Sequence, residues 1–286
     1  MKNKRSLVLL LFITLGLTTQ AQEVFRPWEG IRDKSRVRMW HYAPRADHSS
    51  GTAIIILPGG SYHHLGIKNE GHRIAEALAQ EGHSAFVLRY STGMYGYNYP
   101  TMMEDIQLAV MLVKENASEF GIDPDQVGLM GFSAGGHLAG WMGTYYDTNF
   151  LSRYGLHPSV TLRPAFVAMI YPVVSMADGI THVRSRRNLL AANHPVSLRK
   201  KLSLEKNVRD DMPPVFLMTC MDDPVVDPQN TIRYGAVLEE KQIPHRLLIY
   251  EEGGHGFGYK AGSDHETAGL WMQEFLLWLD KEIIQQ

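Results

Sequence analysis

The chain has one cysteine, Cys220, in 286 residues. A single thiol forms no intrachain disulfide framework and no thiolate metal cluster. An excess of charge of either sign is also missing. Lys and Arg number 28 and Asp and Glu number 30, a formal net charge of −2 at pH 7. That balance leaves no basic footprint for nucleic acid or for an anionic membrane surface. Internal repeats and low-complexity linkers are lacking, which argues against repeat arrays and long disordered connections. After the first 21 residues no apolar run approaches the roughly 20 residues of a membrane-spanning helix.

What is present begins with a short N-terminal segment. Met1-Lys2-Asn3-Lys4-Arg5 is basic, residues 7–17 are apolar, and Thr19-Gln20-Ala21 is a small-x-small site. This pattern reads as a secretory signal cleaved near Ala21, and it places the remaining chain in the periplasm or outside the cell. No cysteine follows the apolar run, which argues against a lipid anchor. Residues 22–286, in a chain with 44% hydrophobic residues, suit one large α/β domain.

Strand and helix patterns alternate along that domain, as a mostly parallel sheet with helices on both faces requires. Strands are expected over residues 37–42, 52–57, 84–90, 126–130, 165–171, 214–219 and 245–250. Helices are expected over 70–81 and 101–120. A capping box of Thr101 and Glu104 is expected to open the second of these. A further capping box, Ser263 with Glu266, is expected to open a C-terminal helix that turns Trp271, Phe275 and Trp278 inward. Residues 172–213 break the alternation. They read either as a surface crossover or as a partial cap over the strand ends, with short helices near Leu189 and Leu204.

The chemistry centres on Gly131-Phe132-Ser133-Ala134-Gly135, a G-x-S-x-G pentapeptide between an apolar run and a small-residue helix start. Strand, sharp turn and helix in that order hold a serine hydroxyl exposed above a sheet. Such a serine needs a base, an orienting acid and an oxyanion hole. Asp223 is the candidate acid in the loop after the 214–219 strand, because Pro224 begins a turn straight after it and Val226 can pack the loop down. Asp222 is the alternative, and Asp227 reads as the cap of a helix starting near Pro228. His255 is the candidate base, in a run of glycines after the last strand. Oxyanion donors are expected from the N–H groups of Ala134 and of Gly60 or Ser61, in the loop after the 52–57 strand. Tyr62, His63 and His64 follow that loop and are candidates to line the acyl pocket. Among the tyrosines of residues 91–100, Tyr97 is a candidate to stack on a sugar ring; the alternative is a loop pinned by aromatic packing. No spacing of ligand residues points to a metal, and no cofactor is expected.

Together, Pro58-Gly59-Gly60-Ser61-Tyr62, residues 86–90, Gly121-Ile122-Asp123-Pro124, residues 131–139, Asp222-Asp223-Pro224-Val225-Val226 and Gly253-Gly254-His255-Gly256-Phe257-Gly258 resemble the α/β-hydrolase carbohydrate esterases. These are the acetylxylan esterases and the related BD-FAE-type esterases. The resemblance covers roughly residues 50–280. It implies an α/β-hydrolase fold, Ser133, Asp223 and His255 as nucleophile, acid and base, and an oxyanion hole at Gly60, Ser61 and Ala134. It departs from the family pattern at Ser61, where a third glycine is usual, and at Asp227, where a proline is common. The implied activity is removal of acetyl or other small acyl groups from oligo- or polysaccharides of the plant cell wall. A feruloyl-type esterase, a prolyl-oligopeptidase-type serine peptidase and a non-catalytic binding protein on the same scaffold are the competing readings.

Overall fold

A computed structural model describes residues 23–45, 49–259 and 269–285. The expected signal segment and the Ser263–Glu266 capping box lie outside the described residues. One eight-stranded sheet organises them, in the order β1-β2-β4-β3-β5-β6-β7-β8. These strands are β1 (Glu23–Phe25), β2 (Arg38–Tyr42), β3 (Ala53–Leu57), β4 (Ser84–Arg89), β5 (Val127–Phe132), β6 (Val167–Ile170), β7 (Val215–Cys220) and β8 (His245–Tyr250). β1 and β2 are antiparallel to their neighbours, and β4, β3, β5, β6, β7 and β8 run parallel.

Period-two alternation explains the layers. Ile55, Leu57, Phe86, Leu88 and Leu129 face one core, which contains α2 (Thr101–Glu115), α4 (Ala134–Thr144) and the inner side of α7 (Gln229–Glu240). Ile54, Ile56, Ala85, Val87 and Met130 face the other, against α1 (Arg73–Gln80) and α8 (Trp271–Leu279). Both faces of β3 are therefore covered, and Ile54, Ile55, Ile56 and Leu57 are fully buried. Each such side chain contributes about 2 kcal/mol of hydrophobic stabilisation. Trp271, Phe275 and Trp278 point into the second core, as their spacing on α8 requires. Among the described residues no helix is long and apolar enough to cross a membrane.

Three local expectations are corrected. The Thr101–Glu104 capping box does not form: Pro100 occupies the cap position and no side chain caps the helix. Glu104 is instead fully buried, where it accepts from Tyr154 Oη at 2.8 Å and meets Lys34 and Arg153. Buried ionic partners outweigh a cap that solvent could supply. The expected helix over 101–120 breaks at Asn116, whose side chain donates to the Leu112 carbonyl at 2.7 Å and so competes with the helical ladder; α3 (Ala117–Phe120) follows. The helix expected from residue 70 begins earlier, as a wide π-helical turn over Lys68–His72 that carries Glu70 into the interior. Within residues 172–213 lie α5 (Val183–Leu190) and α6 (Val196–Leu202), followed by a 3₁₀ turn at Leu204–Lys206.

Candidate active site

Ser133 sits between β5 and α4 with φ 52° and ψ −118°, a conformation costly for a residue with a side chain. Two glycines make the turn possible. A Cβ on Gly131 would lie 2.1 Å from the Gly135 carbonyl oxygen, and one on Gly135 would lie 2.0 Å from that of Leu57. The chain therefore crosses itself and β3 at van der Waals limits. The turn is held by the Ser133 N–H donating to the Ile170 carbonyl at 3.0 Å, and by the Val173 N–H donating to the Ser133 carbonyl at 3.1 Å.

The loops after β7 and β8 converge on this turn. His255 Nε2 lies 2.9 Å from Ser133 Oγ, and His255 Nδ1 lies 2.6 Å from Asp223 Oδ2. The second carboxylate oxygen of Asp223 accepts the N–H groups of Val225 and Val226 at 2.8 and 2.9 Å. Its side chain has no exposed surface. A carboxylate so bound has one oxygen left for the imidazole, which selects the Nδ1–H tautomer and leaves Nε2 free to accept the serine proton. Val226 is buried and anchors the loop.

The other two aspartates are turned to different tasks. Asp222 accepts the N–H groups of Gly253 and Gly254 at 3.2 and 2.8 Å, which ties the acid loop to the loop that carries His255. The Gly254 bond, above all, lowers its pKa. Asp227 accepts the Gln229 N–H at 2.9 Å at the start of α7.

The loop after β3 runs beside the serine: a Cβ on Gly59 would lie 2.9 Å from Ser133 Cβ. Gly60, Ser61 and Tyr62 all have positive φ, at 134°, 56° and 56°. Ser61 thus occupies a left-handed conformation that a glycine takes without steric cost. The N–H groups of Ser61 and Ala134 donate to no acceptor among the described residues. Two unpaired donors next to a serine hydroxyl form a site where negative charge can be held.

The structure departs from the expectations for the acyl pocket. Tyr62 is fully buried and cannot line an open pocket. Its hydroxyl donates to His137 Nδ1 at 2.7 Å, and His137 Nε2–H donates to the Leu202 carbonyl at 2.7 Å. A positive φ at Tyr62 turns the ring inward, beneath the loop rather than over it. His63 does face a cavity, with His182, Asn188, Val225 and Asp227, alongside the acid loop. Tyr97 lines a different cavity, together with Trp40 and Tyr95, to which none of Ser133, Asp223 and His255 contributes.

Sequence reasoning missed a buried link under the site. Glu70 Oε2 accepts the Gly59 N–H at 2.9 Å, Glu70 Oε1 accepts the Tyr171 hydroxyl at 2.8 Å, and the Tyr171 oxygen accepts the Gly258 N–H at 3.0 Å. The Tyr171 ring also packs 4.7 Å from that of His255. One carboxylate and one phenol therefore join the Gly59–Gly60 loop to the His255 loop. Burial raises the pKa of Glu70, and the bonds from Tyr171 and Gly59 act in the opposite sense. Burial, then the neighbouring Glu70 charge, pushes Tyr171 well above the usual phenol range. A signal was available: Glu70, Ile74 and Leu78 recur at steps of four, which puts a carboxylate on the buried stripe of a helix.

Comparisons with known proteins agree with this geometry. The BD-FAE family model matches residues 40–238. The chain is 31% identical over 261 residues to an acetylxylan esterase of Xylanibacter ruminicola, covering 89% of this chain and 51% of that protein. It is 34% identical over 205 residues to endo-1,4-beta-xylanase B of Butyrivibrio fibrisolvens, covering 71% of this chain and 32% of that protein. The chain thus spans about half or less of the length of these curated relatives. Among solved structures, an acetyl ester-xyloside bifunctional hydrolase from Caldicellulosiruptor lactoaceticus superposes with a TM-score of 0.77 at 31% identity, covering 85% of this chain and 87% of that one. A sugar hydrolase from Lactococcus lactis superposes with a TM-score of 0.72 at 26% identity, covering 93% and 99%. The matched family model, the mostly parallel sheet and the turn at Ser133 lead to one conclusion: this chain is an α/β hydrolase and belongs to the BD-FAE family.

Proposed function

We propose that the chain is a serine esterase that removes acetyl or other small acyl groups from plant-cell-wall carbohydrate. The observation that carries this reading is the hydrogen-bonded series Ser133–His255–Asp223 beside the unpaired N–H groups of Ser61 and Ala134. The carbohydrate part is supported by likeness to an acetylxylan esterase and to an acetyl ester-xyloside hydrolase.

In the mechanism, His255 Nε2 takes the Ser133 proton as Oγ attacks the ester carbonyl. Asp223 holds the resulting imidazolium in place. The tetrahedral oxyanion is received by the N–H groups of Ala134 and of the Gly60–Ser61 loop, each worth about 3 to 4 kcal/mol in such sites. The intermediate then collapses to a Ser133 acyl-ester as the bond to the sugar oxygen breaks, and the imidazolium protonates that oxygen so that it leaves as a hydroxyl. Water, activated by the same imidazole, releases the carboxylic acid and restores Ser133. Glu70, Tyr171 and Asp222 position the two loops and do not touch the reacting atoms.

Residues 172–213 act as a partial cap in this reading. Support comes from Asn188, whose side chain donates to the Ser61 carbonyl at 2.8 Å, and from the His137 bond to Leu202. Export follows from the composition of residues 1–21 and fits a polymeric substrate outside the cytoplasm.

Replacing Ser133 by Ala is expected to abolish p-nitrophenyl acetate hydrolysis while the circular dichroism spectrum stays that of the parent. Wild-type protein is expected to release acetate from acetylated xylan and to leave proline-containing dipeptide anilides intact. Full activity in the Ser133→Ala variant would refute the nucleophile. Cleavage of the anilide ahead of the acetyl ester would replace the esterase with a peptidase.

A further inference from the structure

A second cavity, of about 390 Å³, lies on the far side of the 58–66 loop from the acid loop. Arg36, Trp40, His64, Arg89, Tyr95 and Tyr97 line it, and among the described residues no Asp or Glu does. Lys34 also reaches its wall, but its ammonium is taken up by Asp105 at 2.9 Å. Arg36 and Arg89 have no carboxylate partner among the described residues. The Arg36 guanidinium rests 4.1 Å from the centre of the Tyr95 ring, which fixes its plane. His64 and His72 at the cavity wall are both shifted by burial toward the neutral form, so the fixed positive charge comes from the arginines.

The cavity is coupled to the catalytic loop. The Gly93 N–H donates to the Tyr62 carbonyl at 2.7 Å, and the Met94 N–H donates to the His63 carbonyl at 3.2 Å. The adjacent side chains of His63 and His64, with ring centres 6.2 Å apart, divide the space: His63 faces the cavity beside the acid loop and His64 faces this one. A sugar chain whose ester carbonyl is placed at Ser133 has a short path across this ridge.

Aromatic faces alone suit the apolar side of any sugar ring. Two guanidiniums without a carboxylate of their own ask for more, because arginine matches a planar carboxylate with paired, charge-assisted hydrogen bonds. We propose that this cavity is a subsite for a uronic-acid residue of the acylated carbohydrate, with Trp40, Tyr95 and Tyr97 against the ring and Arg36 and Arg89 on the carboxylate. The inference rests on the carbohydrate-ester reading above and names the class of chain that reading leaves open.

The test is calorimetric titration of the Ser133→Ala protein with three ligands: a xylo-oligosaccharide bearing one glucuronic acid, the unsubstituted oligosaccharide of equal length, and trigalacturonate. At least one acidic ligand is expected to bind about tenfold more tightly than the neutral one, with the advantage shrinking as salt is raised. Which acidic ligand leads tells a branch uronate from a main-chain one, and either supports the site. Arg36→Gln and Arg89→Gln, each made in the Ser133→Ala protein, are expected to cut that advantage several-fold. Arg36 is exposed, so its variant answers even if the Arg89 variant folds poorly. Equal binding of acidic and neutral ligands, or an acid preference untouched by both variants, overturns the proposal. Hydrolysis of p-nitrophenyl acetate by the wild-type protein is scored separately. An active enzyme without acid preference refutes the subsite alone, and an inactive protein that still selects the acidic ligand refutes the esterase alone.

Discussion

Lowering the pH from 7 to 5 is expected to cost this fold on the order of 5 kcal/mol, through three histidines buried in the neutral form. His41, His83 and His137 are 8%, 6% and 0% exposed. Burial lowers each to about 4 from an ordinary value of 6.5. His41 is stacked on Phe86 and hydrogen-bonded to Ser84, and the partly solvated Glu23 carboxylate 3.7 Å away does not offset its desolvation. His83 is bonded to Ser50 at 2.8 Å. His137 has both ring nitrogens engaged, and a second ring proton would meet the Tyr62 hydroxyl that now donates to Nδ1.

The unfolded chain takes up protons as pH falls through the ordinary histidine value, whereas the folded chain waits until about 4. Stability is therefore present above roughly pH 6.5 and is lost as pH falls toward 4. Between pH 7 and 5 each histidine contributes about 2 kcal/mol of that loss. Glu70, with its raised pKa, works in the opposite sense and offsets a part. A loss of this size is a large share of the 5–15 kcal/mol by which domains are usually stable. Urea unfolding followed by tryptophan fluorescence at pH 7, 6 and 5 measures it. His83→Gln, whose amide can keep the Ser50 partner, is expected to flatten the dependence by about 2 kcal/mol. An unfolding free energy constant to within about 1 kcal/mol across that range would refute the reasoning.

Three further variants probe the site and its flanking loops. Asp223→Asn is expected to lower kcat by about 10³- to 10⁴-fold, because an amide in place of Oδ2 favours the wrong histidine tautomer. Asp227→Ala is expected to cost about 1 kcal/mol of stability through the lost bond to Gln229 and to leave kcat in place; the reverse ranking would reassign the acid. Glu70→Gln is expected to lower kcat about tenfold with little change in KM, since one of the two acceptors that join Gly59 to Tyr171 becomes a donor. Unchanged kinetics on p-nitrophenyl acetate would show that the link positions nothing.

Patterns that repeat within a few residues were legible without the fold. Ile54–Leu57 declared a strand covered on both faces, and the glycines around Ser133 declared a turn too tight for side chains. Asp223 and His255 could be picked out because each stands in a loop straight after an apolar strand, in the required chain order. Asp227 read as a helix cap because the bond it makes is two residues long. Local patterns failed where a buried charge or a competing side-chain hydrogen bond intervened: Glu104 left its expected cap for Lys34 and Tyr154, and the Asn116 amide broke an otherwise continuous apolar helix.

The sequence by itself determined the elbow, the order of its partners and the alternation that builds the sheet, since these depend on backbone sterics and on periods of two and 3.6 residues. Only the tertiary structure decided what lies between the loops. Glu70 and Tyr171 are 101 residues apart and share a hydrogen bond. Tyr62 turns inward onto His137, 75 residues away. The antiparallel pairing of β2 with β4 sets Arg38 opposite Arg89, and so gathers Arg36, Trp40 and Tyr97 around one cavity. Such contacts come from strand order and register, which sum many weak interactions over the whole chain, and no short stretch of sequence encodes them.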